Sequence, residues 1–241
     1  MEVIWKIDKR SNSHVTANTK ELLATVRQAA IDCGRDPSEV TLMAVTKTVA
    51  PELVNEAIAN GIHLLGENRA QELLEKYDSY DKEQVDIHFI GHLQTNKVRQ
   101  IVDKVSMIHS VDRLHLAQEI NRPAEKHNKI MDILVEVNIG DEESKSGVSV
   151  SELEELLAEI AKLPQISVKG LMCIPPASKN EEENAHYFAK MQKVFIDMKQ
   201  KNMDNINMSI LSMGMSNDYK IAIQYGSNIV RIGTALFGAR K

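Results

Sequence analysis

The sequence predicts an α/β protein: a single TIM-type (β/α)8 barrel over residues 1–241, with an extra N-terminal helix. Three observations carry that prediction. Eight short apolar runs recur along the 241 residues, each followed by a stretch of helical period. The runs are apolar almost throughout, as strands covered on both faces must be. The turn after the first run, "VTKTVAP", lacks the glycine-rich loop that an open doubly wound sheet places there.

In chain order, Val15, Leu22, Leu23, Val26, Ala29, Ala30 and Ile31 recur at three- to four-residue spacing, which predicts a helix over 13–33 that stops at Gly34. The strand candidates then follow at 40–47, 62–68, 86–92, 105–112, 132–139, 166–174, 207–214 and 228–234. Helix candidates lie between them at 51–60, 69–78, 95–103, 112–128, 149–163, 180–202 and 216–225. Strands alternating with helices imply βαβ units and a parallel sheet, and eight of them favour closure. No low-complexity segment divides the chain. The acidic "SKNEEENAH" (178–186) reads as a solvated helix start, and "GDEESKSG" (140–147) as a polar turn or a lid.

With 43% apolar residues the chain can bury a sizeable core. A formal charge of −5 and no lysine/arginine block argue against nucleic-acid binding, which needs a basic face. Cys33 and Cys173 stand far apart and read as reduced thiols. "MEVIWKIDKR" carries no signal-peptide core, and no apolar stretch is long enough to span a bilayer, so the expectation is a cytoplasmic protein without membrane contact. The histidines are scattered, with no metal-ligating cluster, and His88 and His109 read as core or barrel-lining residues. Neither a G-x-S-x-G elbow nor a P-loop is present.

In such a barrel the chemistry sits at the C-terminal ends of the strands. Lys47, Glu67, Asn68, His92, Gln94, Asp112, Asn138, Cys173, Ser212, Gly214, Ser216, Arg231, Gly233 and Thr234 fall there. Lys47 by itself is open to two readings: a snorkelling or salt-bridged side chain, with Glu67 as partner, or an amine that attacks an aldehyde. "LSMGMSND" and "VRIGTALFG" put glycines and hydroxyls after strands 7 and 8, where barrels often bind phosphate. Ser216 reads equally as the cap of the next helix.

Taken together, "AVTK" (44–47), "LGEN" (65–68), "IGHLQTNK" (90–97), "VNI…ESKSG" (137–147), "LSMGMSND" (211–218) and "VRIGTALFG" (230–238) resemble the YggS/PROSC family of pyridoxal 5′-phosphate homeostasis proteins, in order and over nearly the whole chain. The resemblance implies a fold-type III barrel like the N-terminal domain of alanine racemase. It implies pyridoxal phosphate held as a Schiff base on Lys47, its phosphate on Ser212, Gly214, Ser216, Gly233 and Thr234, Arg231 near the pyridine nitrogen, and Asn68 and His92 around the ring. Thr46, Arg69 and Asn228 stand where the family often has Ser, Tyr and Thr. It further implies a role in vitamin B6 homeostasis, with delivery to apoenzymes as its extension. Eight βα units reach to the C-terminus and leave no length for a second domain, so the expectation is a monomeric carrier with no catalytic residues. A weak amino-acid racemase, and an aldolase using Lys47, are the enzymatic alternatives.

Overall fold

The computed structural model describes residues 12–142, 145–176, 178 and 180–239. The N-terminal segment read for a targeting signal lies outside them, as do Glu143 and Ser144 of the 140–147 loop and Lys179 of the acidic stretch.

Helix α1 (Asn12–Asp32) comes first, and the Gly34 amide bonds to the Ile31 carbonyl just beyond it. Then follow β1 (Thr41–Val45), α2 (Pro51–Ala59), β2 (Leu64–Glu67), α3 (Ala70–Lys76), β3 (Asp86–Phe89) and α4 (Val98–Ile101). The second half runs β4 (Met107–Val111), α5 (Leu114–Lys126), β5 (Met131–Glu136), α6 (Leu153–Ile160), β6 (Ile166–Met172) and α7 (Glu181–Gln200). It ends with β7 (Ile206–Met215), α8 (Tyr219–Gln224), β8 (Ile229–Ile232) and the short α9 (Thr234–Phe237). All strand pairs are parallel and the sheet closes, with Thr41 of β1 opposite Ile229 of β8. Most strands are a few residues shorter than the apolar runs, because the last apolar residues of each run already turn into the loops at the barrel mouth. Lys47 accordingly stands two residues past β1, in a turn, rather than at the strand's end.

Strand alternation sorts the side chains into two layers. Leu42, Ala44, Leu65, Ile87, Phe89, Ile108, Ile133 and Val135 pack outward with the helices in the main core. Met43, Val45, Leu64, Ile90 and Ile229 form one inner cluster, and Met107, Leu134 and Met172 another, with Ile210 against both. Between the apolar clusters the barrel holds polar side chains: His88, His109, Glu136, Ser212 and Arg231 are all buried. No helix among the described residues is long and apolar enough to cross a membrane.

Candidate ligand-binding site

One side of the barrel mouth is built on the turn after β1. Thr46 is buried, and its hydroxyl donates to Glu67 Oε1 at 2.7 Å. The Tyr80 hydroxyl donates to the same oxygen at 2.5 Å. Lys76 is fully buried at the end of α3; its ammonium donates to the Thr46 carbonyl at 2.9 Å, pairs with Glu72 and lies 4.0 Å from Glu67. Glu72 in turn accepts the Thr48 amide. Burial pushes the Glu67 carboxyl above its ordinary range, although Lys76, Tyr80 and Thr46 pull it back. Burial, and the Glu67 charge, raise Tyr80 as well, so its hydroxyl stays a donor. Lys47 sits half-buried in the middle of this braced turn. Glu67, read from sequence as a salt-bridge candidate for Lys47, is thus engaged by Thr46, Tyr80 and Lys76.

The floor is the polar part of the barrel interior. Arg231 Nη1 donates to the Ser212 carbonyl at 2.8 Å and its hydroxyl at 2.7 Å, and Nη2 donates to the Cys173 carbonyl at 2.8 Å. Burial lowers the arginine from its usual value, opposed by Cys173, Glu136 and Asp218. Burial, then the Asp112 charge, pushes Glu136 up to about 7, with Arg231 acting the other way. His88 Nδ1 and His109 Nε2 meet at 2.9 Å, and burial holds His88 down at about 4 and His109 well below its ordinary value. Both rings are neutral at pH 7 and share one N–H. The expectation that they are barrel-lining residues fits, but His109 Nδ1 has no partner among the described residues.

The opposite side comes from the loops after β7 and β8. The Ser216 hydroxyl accepts the Ala235 amide at 3.4 Å, tying the two loops together. It is therefore not the cap of α8; Asp218 stands at that position and accepts the Met215 amide at 2.6 Å. Gly233 leads directly into α9, and Asn18 of α1 holds that helix by donating to the Leu236 carbonyl at 3.0 Å.

These parts surround one cavity of about 790 Å³. Of the residues expected there, Lys47, Asn68, Ser216, Arg231, Gly233 and Thr234 line it. Three do not. His92 is exposed on the loop after β3. Ser212 is buried beneath Arg231. Gly214 (φ +90°) faces α8, where a Cβ would come within 2.5 Å of Ala222 Cβ, so its lack of a side chain makes room for helix packing. Asn68 Oδ1 is buried and has no partner among the described residues, an acceptor left for something else in the cavity.

Sequence reasoning missed several residues. Lys145, after β5, lines the cavity and bonds Glu142 at 2.5 Å and the Pro175 carbonyl at 3.2 Å, joining two loops of the far rim. Its signal was the "ESKSG" motif, quoted for its pattern alone. Gly91 belongs to "IGHL"; a Cβ there would meet the Asn68 carbonyl oxygen at 2.0 Å, so only glycine lets the β3 loop lie against Asn68. Ile174 and Met215 are exposed apolar residues on the rim.

Comparison with known proteins gives a consistent picture. Residues 17–241 match the family model described as alanine racemase, N-terminal domain. The chain is 43% identical over 220 residues to the pyridoxal phosphate homeostasis protein of Aquifex aeolicus, covering 91% of this chain and 96% of that one. It is 38% identical to the protein of the same name from Escherichia coli K12, covering 94% and 97%. Among solved structures, PipY of Synechococcus elongatus PCC7942 with PLP bound superposes with a TM-score of 0.81 at 30% identity, covering 93% of this chain and all of that one.

Proposed function

From the premise that this chain belongs to the pyridoxal phosphate homeostasis proteins, within the alanine racemase N-terminal domain family, we propose that it binds pyridoxal phosphate and buffers its free concentration. The observation that carries the reading is the shape of the cavity. A primary amine, Lys47, stands on one wall, the Ser216 and Gly233–Thr234 turns stand on the other, and Arg231 lies in the floor. The PLP-bound relative supports the choice of ligand. The orphaned Asn68 Oδ1 fits a ligand that brings a donor of its own.

Pyridoxal phosphate, when bound, supplies an aldehyde and an electron-accepting ring. Lys47 would supply the primary amine toward that aldehyde, the group a Schiff base with loss of one water would require. Ser216, Thr234 and the backbone amides that open α9 hold the phosphate, where aligned N–H groups favour an anion. Arg231, a permanent cation held by Ser212 and Cys173, would stand toward the pyridine nitrogen and disfavour its protonation. An unprotonated ring would withdraw electrons poorly, a handicap that a racemase must offset with a second catalytic base. Release to apoenzymes through the open rim is part of the same reading.

The test is the visible spectrum of the purified protein before and after borohydride, followed by peptide mapping. A yellow protein that bleaches and carries its label on Lys47, with Lys47→Ala colourless, is expected. Label on another lysine overturns the assignment, and loss of optical activity from L-alanine that depends on Lys47 overturns the carrier role.

A further inference from the structure

We propose that Glu72 and Lys76 are positioning residues for Lys47: a buried ion pair on α3 that grips the backbone on both sides of the lysine. The proposal rests on the reading of Lys47 given above. Lys76 is fully buried, an environment in which an ammonium requires a specific partner. It has one in Glu72, and it also donates to the Thr46 carbonyl, the peptide immediately before Lys47. Glu72 uses the same oxygen, Oε1, to accept the amide of Thr48, immediately after Lys47. The two charges therefore span Lys47 like the jaws of a clamp, one on the preceding C=O and one on the following N–H.

A second feature of the turn shows why a clamp is needed. Thr48 is β-branched yet adopts φ +63°, in the left-handed region that such residues avoid. Backbone of that kind persists only where the surroundings over-determine it. Here the surroundings are the ion pair, the Thr46–Glu67 hydrogen bond beneath it, and the turn's own bonds from the Val49 amide to the Thr46 carbonyl and from the Thr48 hydroxyl to the Lys47 carbonyl. The consequence for chemistry is orientational. A lysine side chain is long and flexible, so the direction in which its Cα–Cβ bond leaves the backbone decides whether the amine spends its time over the cavity. Fixing the flanking peptides fixes that direction.

The test uses the full chain with Glu72→Met and Lys76→Met combined. Replacing both charges removes the pair as a unit, an exchange that folds commonly tolerate, and Glu67 keeps its hydrogen bonds from Thr46 and Tyr80. Two measurements are made. NMR-detected hydrogen exchange on the ligand-free protein reads the Thr48 amide directly. Binding of pyridoxal phosphate is compared with that of pyridoxamine phosphate, which shares the ring and phosphate but has no aldehyde to condense with Lys47. In the double variant the Thr48 amide is expected to exchange at least tenfold faster while amides of β3 to β5 are unchanged. The preference for the aldehyde over the amine form is expected to fall at least tenfold, with pyridoxamine phosphate binding kept within about twofold. An unchanged Thr48 exchange rate, or equal weakening of both ligands, overturns the proposal, because the pair would then be ordinary core. A wild-type protein with no preference for the aldehyde sinks the reading of Lys47 instead, and the Thr48 rate still decides whether the clamp exists.

Discussion

The two walls of the cavity are built from different materials. The wall that carries Lys47 is dug into buried charge: Glu67, Glu72, Lys76 and Tyr80 lie under it, three of them under 5% exposed. The wall formed by the loops after β7 and β8 is backbone and hydroxyl, with Thr234 exposed and Ser216 half-buried. A covalent attachment point must aim one bond, and aiming needs rigid, directional support. An anion site needs only N–H groups converging on a volume, and a helix start supplies those from any sequence that begins a helix. The comparison predicts that the lysine wall is brittle to substitution and the anion wall tolerant.

The most severe test on the lysine wall is Lys76→Met alone. It removes the cation paired with Glu72 and leaves Glu72 and Glu67 buried, and among the described residues the Thr46 carbonyl keeps only its bond from the Val49 amide. Breaking one partner of a buried pair costs about 3–5 kcal/mol. Urea unfolding should show a loss of that size; a loss under about 1 kcal/mol would mean that water reaches the pair and that the wall is not rigid.

The floor between the walls has its own signature in pH. Glu136 titrates at about 7 when folded, against an ordinary value of 4.5. The folded state therefore holds a proton that the unfolded chain has released between those values, and Glu136 costs stability progressively as pH rises through that window. At about 1.4 kcal/mol per unit, the full cost is about 3 kcal/mol above pH 7. Glu136→Gln cannot ionise and escapes it. Relative to the wild type, the variant should gain about 3 kcal/mol in urea unfolding between pH 4.5 and pH 8. His88 works in the opposite sense, since burial keeps it neutral down to about 4 and its stabilisation is lost as pH falls from 6.5. A variant that tracks the wild type at every pH would show that the floor is hydrated and its charges are not coupled to folding.

The contrast between walls also explains what could be read from sequence. Strand ends announce themselves, because an apolar run has to stop, and that placed Lys47, Asn68, Arg231 and Gly233 near the mouth. Periodicity gave the barrel and the helix that precedes it. The support beneath Lys47 is invisible at this level: Tyr80 and Lys76 reach Thr46 and Glu67 from a separate helix and its following turn, and nothing local marks a lysine at a helix end as buried. Gly214 was read for a ligand's approach, Gly91 was not singled out, and the packing role of neither is visible locally. Gly214 makes room for Ala222, a contact set by how α8 lies on β7, and Gly91 makes room for Asn68 across two loops. Ser216 was read as a phosphate donor and also as a local cap, because hydroxyl-before-helix is a local pattern, whereas its partner Ala235 is nineteen residues away in another loop.

The mildest prediction probes the tolerant wall. Ser216 Oγ receives the Ala235 amide at 3.4 Å, at the long edge of hydrogen bonding, so its contribution to stability lies at the low end for a neutral bond, about 0.5 kcal/mol. Without the hydroxyl the Ala235 amide still points into an open, solvated turn, since Ala235 is exposed, and water replaces the lost acceptor. On the proposed reading, a bound phosphate would lose one hydroxyl donor but keep the backbone N–H groups. Ser216→Ala should therefore weaken pyridoxal phosphate binding by only about threefold in a spectroscopic titration, equivalent to about 0.6 kcal/mol, and leave the position of the absorption band unchanged. A loss beyond about thirtyfold, or roughly 2 kcal/mol, would mean that a single hydroxyl holds the anion. The two walls would then be equally brittle, and the difference between aimed attachment and diffuse anion capture would not describe this site.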